Sequence, residues 1–179
     1  MRPGPLPPLE IVHQDEWLCA IHKPAGLLVH RTELDRSATR FAVQLLRDQL
    51  GRHVYPVHRL DRGTSGVLLF ALDSAMARDL ASQFQTREVT KRYVAVVRGH
   101  PPCSGVIDHP LARRHDDYEP GPVRGSGEAP QPAVTHYRRL AVAELPHAVD
   151  RYPSSRYALL DVRPETGRLT LSGSLAVEE

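Results

Sequence analysis

Cysteine, lysine and long apolar runs are all scarce in this chain. Its two cysteines, Cys19 and Cys103, lie far apart in 179 residues and outside any Cys-x-x-Cys pattern. Without a secretion signal we expect two free thiols in a reducing cytoplasm, which argues against a disulfide-stapled fold. No apolar run approaches the roughly 18 residues that a membrane-spanning helix needs. The sequence therefore predicts neither a membrane protein nor a membrane partner.

Lysine accounts for only two of the 23 basic residues, at Lys23 and Lys91, and all the others are arginines. The planar guanidinium of arginine binds phosphate in bidentate fashion and stacks on bases, so this composition suits a nucleic-acid partner. The formal net charge of +2 permits such a partner without demonstrating one. A GC-rich genome explains the same composition equally well, because its codons favour arginine, alanine, proline and leucine.

The remaining composition is that of an ordinary globular protein. Hydrophobic residues make up 41% of the chain and charged residues 25%, which is enough apolar material for one core. The proline-rich residues 1–8 lack the apolar centre of a signal peptide and predict a flexible, extended tail. We therefore expect one domain with a loose N-terminal extension.

Apolar periodicity predicts short strands and a first helix. Residues 10–24 read as two strands around a polar turn, and residues 67–72 form an unbroken apolar run typical of a strand buried on both faces. Residues 38–50 carry apolar side chains at helical spacing, and Gly51 is a plausible helix stop. Further strands are predicted at residues 93–97, 133–145 and 156–163, and a loop rich in proline and glycine at residues 119–132.

A second helix follows the apolar run. Asp73 and Ser74 are suitable capping residues, and Met76, Leu80 and Phe84 follow at i, i+4 and i+8, as in a buried stripe. The order of elements predicts an α+β fold with a mixed, largely antiparallel sheet flanked by helices. The chain contains no internal repeat and no nucleotide-binding glycine motif, so no cofactor is predicted.

The most informative segment is residues 58–66, which read HRLDRGTSG. Asp61 lies between Arg59 and Arg62, and this positive charge favours the ionised carboxylate. The two glycines permit tight turns, and the apolar strand that follows would hold the loop rigidly, as a catalytic carboxylate needs. Residue types alone favour a surface turn with a solvated ion pair, because Asp-Arg neighbours are common.

The order of these residues, however, resembles the signature of the RluA family of pseudouridine synthases, which reads HRLDR-x-TSG before an apolar strand. Four other segments are similar to the family in the same order, and the resemblance covers roughly residues 9–168. They are residues 23–30 (KPAGLLVH), 91–95 (KRYVA), 131–135 (QPAVT) and 164–168 (PETGR).

The resemblance implies an isomerase that converts a uridine in RNA to pseudouridine without a cofactor or a metal. The reaction breaks the N1–C1′ bond, rotates the base and rejoins it through C5. Asp61 is expected to be the essential nucleophile or base. Tyr93 is expected to stack on the base and is a candidate for taking the final proton. The target base must leave its helix, at a cost of about a few kcal/mol.

The resemblance also implies RNA contacts for the residues around Asp61. Arg59 is the candidate to fill the vacated stack, and Arg62 is expected to hold phosphates, with His58 and Thr64 completing the predicted RNA-binding set. Residues 14–18, 130–137 and 151–153 are similar to family members that act on the T stem of tRNA. The expected partner is therefore tRNA, with ribosomal RNA as the alternative, and no obligate protein partner is indicated.

After residue 168 the chain departs from the family pattern. The family continues with His-Gln-Leu-Arg and a long stretch that completes the sheet, whereas residues 169–179 read LTLSGSLAVEE. In the family that arginine pairs with the catalytic aspartate. We expect a partial catalytic domain at residues 9–168, without the C-terminal part of the fold, and a divergent end at 169–179 caused by a frameshift or truncation. A catalytically dead RNA-binding remnant is the corresponding alternative.

Two other enzyme classes fit the residues less well. A metal-dependent hydrolase could use some of the ten histidines, but no His-x-x-x-His or His-Glu-x-x-His spacing occurs, so no metal site is predicted. A glycosidase with an aspartate nucleophile would need a second carboxylate as its acid, and the sequence indicates no such pair.

Overall fold

The computed structural model describes residues 7–30, 40–111, 129–149 and 153–166. The described residues up to Glu88 form one compact unit, unit 1, and those from Val89 onward form a second, unit 2. Each unit contains a four-stranded sheet, and both helices belong to unit 1. The predicted α+β class is therefore confirmed.

Several sequence predictions fall on residues that the structure does not describe. They concern most of the N-terminal tail, the first residues of the helix predicted from residue 38, most of the predicted loop at 119–132, and the divergent end at 169–179. The division into tail, catalytic domain and divergent end stays a prediction. In the part of the chain that is described, neither helix has the length and apolar character that crossing a lipid bilayer requires.

The sheet of unit 1 contains β1 (Glu10–Gln14), β2 (Leu18–Lys23), β3 (Tyr55–Pro56) and β4 (Gly66–Ala71) in the order β1-β2-β4-β3, with all neighbours antiparallel. The predicted strand pair around a polar turn is confirmed. Asp15 holds that turn, because its carboxylate accepts the backbone N–H groups of Leu18 and Trp17, each at 2.8 Å. These two hydrogen bonds hold the pKa of Asp15 below its usual range.

Helix α1 (Ala42–Leu50) begins later than the sequence predicts. Phe41 is extended and forms a backbone bridge with Leu28. The N–H of Ala42 donates to the Leu28 carbonyl at 2.8 Å, so the first N–H of the helix is bound to another segment. This tertiary contact overrides the helical spacing of the preceding residues. Gly51, at φ 64°, ends the helix as predicted.

Helix α2 (Ser74–Gln85) has the predicted cap at Asp73, whose carboxylate accepts the N–H groups of Ala75 and Met76 at 2.8 and 2.9 Å. The helix contacts β3 and β4. The prediction that the strand after Gly66 is buried on both faces was wrong, because Val67 is 55% exposed whereas Leu68 is buried. In an antiparallel sheet only one face needs to pack on the core, and β4 follows that rule.

Unit 2 contains β5 (Tyr93–Arg98), β6 (Ser104–Asp108), β7 (Val134–Leu145) and β8 (Ser155–Pro164) in the order β5-β8-β7-β6, again antiparallel throughout. The three strands predicted after residue 92 are confirmed, whereas β6 and the short β3 were not predicted. The core of this unit consists of Tyr137, Ala158, Leu160 and Val162 on one face of the sheet.

Strand β6 depends on a glycine. Gly105 pairs with Tyr137 on β7, and a Cβ added at Gly105 would lie 2.7 Å from the Tyr137 hydroxyl oxygen. Tyr137 is itself buried in the core. The close approach of β6 to this ring therefore requires a residue without a side chain.

Candidate active-site loop

The loop between β3 and β4 carries Asp61. The N–H of Thr64 donates to the Asp61 carbonyl at 3.1 Å and closes a tight turn over Arg62 and Gly63. Leu60, the residue before the aspartate, is buried, whereas Asp61 is half-buried. The loop is therefore anchored in the core of unit 1, and Asp61 is neither sealed from solvent nor fully solvated.

The buried side chain of Lys23 holds this loop in place through hydrogen bonds. Its side chain is fully buried, and its ammonium donates hydrogen bonds to the backbone carbonyls of Pro24, Leu27 and Arg62 at 3.0, 2.8 and 3.3 Å. An ammonium buried without hydrogen-bond partners would be strongly destabilising, and here three N–H donors meet three acceptors. The segment after β2 is therefore tied to the residue that follows Asp61.

Gly26 adds two more links between the same segments. Its N–H donates to the Arg62 carbonyl at 2.7 Å, and the Nε of Arg62 donates to the Gly26 carbonyl at 3.3 Å. Gly26 has φ +85°, in the left-handed region that favours glycine. One main-chain and one side-chain hydrogen bond thus join the two turns, which restrains the backbone beside Asp61.

His58 anchors the start of the loop. Its Nε2 accepts the N–H of Leu69 on β4 at 3.1 Å, which requires the ring proton to be on Nδ1. The ring also stacks on Phe84 of α2, with a centroid separation of 4.6 Å and an interplanar angle of 21°. These contacts join the loop to a strand and a helix, while the RNA-binding role of His58 stays a prediction.

The structure groups five of the six predicted site residues. His58, Arg59, Asp61, Arg62 and Thr64 all lie in this one loop of unit 1, with Arg59 exposed and the other four half-buried.

Tyr93 belongs to unit 2. It is the first residue of β5 and packs, half-buried, against the core around Tyr137. The catalytic roles assigned to Asp61 and Tyr93 stay predictions.

A second aspartate with arginine neighbours, Asp161 on β8, was not predicted. Its side chain is 1% exposed, and its carboxylate contacts the Nε of Arg92 at 2.7 Å, the Nη2 of Arg163 at 3.0 Å and the Nη2 of Arg138 at 3.9 Å. Burial alone would raise its pKa. The hydrogen bond from Arg92 outweighs burial and, with that from Arg163, lowers the pKa of Asp161, while the same contact raises the pKa of Arg92.

A sequence signal for this site did exist. Asp161 interrupts an apolar run in residues 158–162 (ALLDV), and a carboxylate at such a position is expected to be buried and paired. The sequence does not indicate which arginines pair with it, because they lie on β7, on β8 and just before β5, as far as 69 residues away.

The described residues contain no group of three or more histidine, cysteine, aspartate or glutamate side chains placed to hold a metal ion. Cys19 and Cys103 are free thiols, the first buried and the second exposed. Burial raises the pKa of the Cys19 thiol, which makes it a poor nucleophile. Cys19 is therefore not a candidate for a reactive group.

Comparison with known proteins identifies relatives over most of the chain. A family model described as RNA pseudouridylate synthase matches residues 18–170. Over 160 residues, or 89% of this chain, it is 53% identical to tRNA pseudouridine synthase C of Pectobacterium carotovorum, 52% to that of Pasteurella multocida and 51% to that of Yersinia pestis. The match covers 42%, 65% and 62% of those three proteins, so the chain spans about two fifths to two thirds of their length.

Solved structures agree with this result. Human RNA pseudouridylate synthase domain containing 4 is 30% identical, with a TM-score of 0.61, over 93% of this chain and 60% of the human one. Human RNA pseudouridylate synthase domain containing 1 is 28% identical, with a TM-score of 0.67, over 94% of this chain and 64% of the human one. The resemblance found in the sequence is confirmed, and the chain belongs to the RNA pseudouridylate synthase family.

Proposed function

We propose that this protein isomerises a uridine in tRNA to pseudouridine, in the cytoplasm, with Asp61 as the essential residue. The observation that carries the proposal is the anchored loop that holds Asp61 within a family match covering residues 18–170. The choice of tRNA is supported by the bacterial relatives, which are named tRNA pseudouridine synthase C.

The reaction needs no external group. The N1–C1′ bond of the uridine breaks, the uracil rotates, and a C5–C1′ bond forms. The proton on C5 is then released and N1 gains one, so atoms and electrons balance without an oxidant or a donor. Protein side chains can supply a nucleophile or base, a base-stacking surface and a proton acceptor.

Asp61 acts as the nucleophile or base in this scheme. A reacting carboxylate needs a fixed position, because a misplacement of about 1 Å can reduce the rate about 10²-fold. The hydrogen bonds from Lys23 and Gly26 to the Arg62 carbonyl support such a position. Asp61 is also half-buried, which suits a group that must meet an extruded base.

Base flipping assigns roles to the remaining predicted residues. Tyr93 stacks on the extruded uracil and takes the final proton, while Arg59, which is exposed, fills the vacated position in the RNA stack. Arg62 and Thr64 contact the RNA backbone, and His58 contributes to the RNA-binding loop. Extrusion costs about a few kcal/mol, which these contacts must offset.

RNA binding without turnover is the second candidate function. Binding and chemistry are therefore separated in the test.

The test measures tritium release from a tRNA transcript labelled at C5 of uracil, with the protein, its Asp61→Ala variant and the control Asp79→Ala. Asp79 is an exposed aspartate on α2, so its loss leaves the loop intact. We expect release from the protein and the control but not from Asp61→Ala. Release by Asp61→Ala at the normal rate would contradict the proposed role. The same assay is run on a labelled ribosomal RNA transcript. Absence of release from either RNA with all three proteins, with tRNA still bound, would establish the second candidate, whereas release only from the ribosomal RNA would change the substrate.

A further inference from the structure

Three arginines converge on one buried carboxylate in unit 2. We call Asp161, Arg92, Arg138 and Arg163 the Asp161 cluster. One carboxylate neutralises one guanidinium, so the cluster has a surplus of two positive charges. The arginine side chains are 60%, 64% and 57% exposed, so this charge reaches solvent although Asp161 does not.

Structural pairing of Asp161 alone does not require three arginines. Arg92 and Arg163 already donate hydrogen bonds to its two oxygens at 2.7 and 3.0 Å, and Arg138 lies within 3.9 Å of the same carboxylate. A third like charge at this range is repelled unless a further anion is shared. Each guanidinium has five N–H donors, and Arg92 donates to Asp161 only through Nε, so most donors remain for such an anion.

The strand register explains why these arginines meet. Asp161 pairs with Arg138 on β7 and with Val94 on β5, and Arg163 follows two residues later on the same face of β8. The cluster therefore occupies the face opposite the apolar core, at the end of the sheet where β5 begins. Arg92 and Tyr93 are consecutive there and project to opposite faces, so a polynucleotide passing round this end can contact both.

We propose that the Asp161 cluster is a phosphate-binding site for the backbone of the substrate RNA, with Asp161 holding the guanidiniums in place. The inference rests on the proposed function, which supplies the phosphodiesters. Arginine forks match phosphate oxygens in bidentate geometry, and guanidiniums fixed in advance lose less side-chain freedom on binding. The cluster positions RNA and takes no part in bond making.

The experiment measures the affinity of the full chain for an unmodified tRNA transcript between about 50 and 200 mM salt. Arg138→Gln removes the arginine whose contact with the Asp161 carboxylate is the longest, so its loss should disturb the carboxylate least. We expect the dissociation constant to rise about tenfold and the slope of log K against log salt to fall in magnitude by about 0.7–0.9. Arg138→Lys, which keeps the charge but loses the fork, should keep the slope and recover part of the affinity.

Arg156→Gln is the matched control. Arg156 is also on β8 and 61% exposed, but it pairs with a single carboxylate, Glu144, at 3.5 Å. Its removal should change neither the affinity nor the salt slope. Thermal unfolding of each variant separates lost binding from lost folding.

The outcomes distinguish the two proposals. Folded Arg138→Gln that binds tRNA with unchanged affinity and slope, in a chain that modifies tRNA, overturns the phosphate site alone. Weaker binding by Arg138→Gln in a chain that releases no tritium supports the site and overturns the isomerase. A chain that binds no tRNA overturns both. Equal losses in Arg138→Gln and Arg156→Gln indicate general charge attraction and also overturn the site.

Discussion

Asp61 in unit 1 and Asp161 in unit 2 both have arginine neighbours, but the two aspartates are held differently. Asp61 is half-buried in a loop, and main-chain hydrogen bonds fix its backbone. Asp161 is buried in a strand, and its carboxylate is bound by arginines from separate parts of the chain. A loop aspartate that is positioned through its backbone is suited to react with a substrate. A buried strand aspartate that contacts three arginines is suited to hold their guanidinium groups in place.

Replacing each aspartate in turn should produce the largest difference between the two sites. We expect Asp61→Ala to lower the single-turnover rate of tritium release by about 10³-fold or more, because the reacting group is lost. Asp161→Asn should leave that rate within about threefold at saturating tRNA and mainly weaken binding, because its arginines lose their common partner. Equal rate losses in both variants would remove the distinction between a reacting and an organising carboxylate.

Lys23→Met should destabilise unit 1 by about 1–3 kcal/mol, because three backbone carbonyls, those of Pro24, Leu27 and Arg62, each lose a part-buried hydrogen bond. Arg52→Met is the control, since Arg52 is exposed and donates one hydrogen bond to a backbone carbonyl, that of Leu72, at 2.9 Å. Urea unfolding gives the free energies of unfolding. Amide hydrogen exchange should show the lost protection around residues 61–64. A Lys23→Met protein as stable as Arg52→Met would mean that the buried ammonium does not hold the loop.

Gly105→Ala should destabilise unit 2 by about 1–3 kcal/mol, because the new methyl group meets a buried aromatic ring. The added Cβ would lie 2.7 Å from the Tyr137 hydroxyl oxygen. Ser104→Ala, at the exposed neighbouring position, should change stability by less than about 0.5 kcal/mol. Hydrogen exchange should locate the lost protection in β6 and β7. Unchanged protection there would contradict the close strand approach.

The pH dependence of the free energy of unfolding should show the smallest difference between Asp161 and an aspartate of unit 1. The pKa of Asp161 is lowered on folding, so its contribution is present above the unfolded value, about 3.9, and is lost as pH falls through the folded value. Asp161→Asn should therefore show a flatter loss of stability below about pH 4 than the natural chain. Asp15→Asn is the comparison in unit 1, because backbone N–H groups lower the pKa of Asp15. Identical acid unfolding of the natural chain and Asp161→Asn would contradict the ion cluster.

Local features of the fold could be predicted wherever the information was local in sequence. The cap at Asp73, the stop at Gly51 and the strand pair around Asp15 depend on neighbouring residues and were predicted. The start of α1 was missed because Phe41 bridges to Leu28. Strand β6 was missed because the need for a glycine at position 105 comes from its contact with Tyr137, which is distant in sequence.

The two sites also differ in whether their residues are neighbours in the sequence. The Asp61 loop is contiguous, so its order of residues was enough to group it. The fastening by Lys23 and the Asp161 cluster join residues about 39 and 69 positions apart, and no local pattern encodes such pairs. Strand register supplied the missing information, because it places Arg138 opposite Asp161.

Direct detection of pseudouridine is the most decisive measurement for the central claim. A tRNA transcript would be incubated with the full chain and with Asp61→Ala, recovered, digested to nucleosides and separated by chromatography. We expect one pseudouridine to replace one uridine per tRNA with the natural chain and none with Asp61→Ala. Bound tRNA whose uridine content is unchanged by the natural chain would contradict the assignment of this protein as a working isomerase.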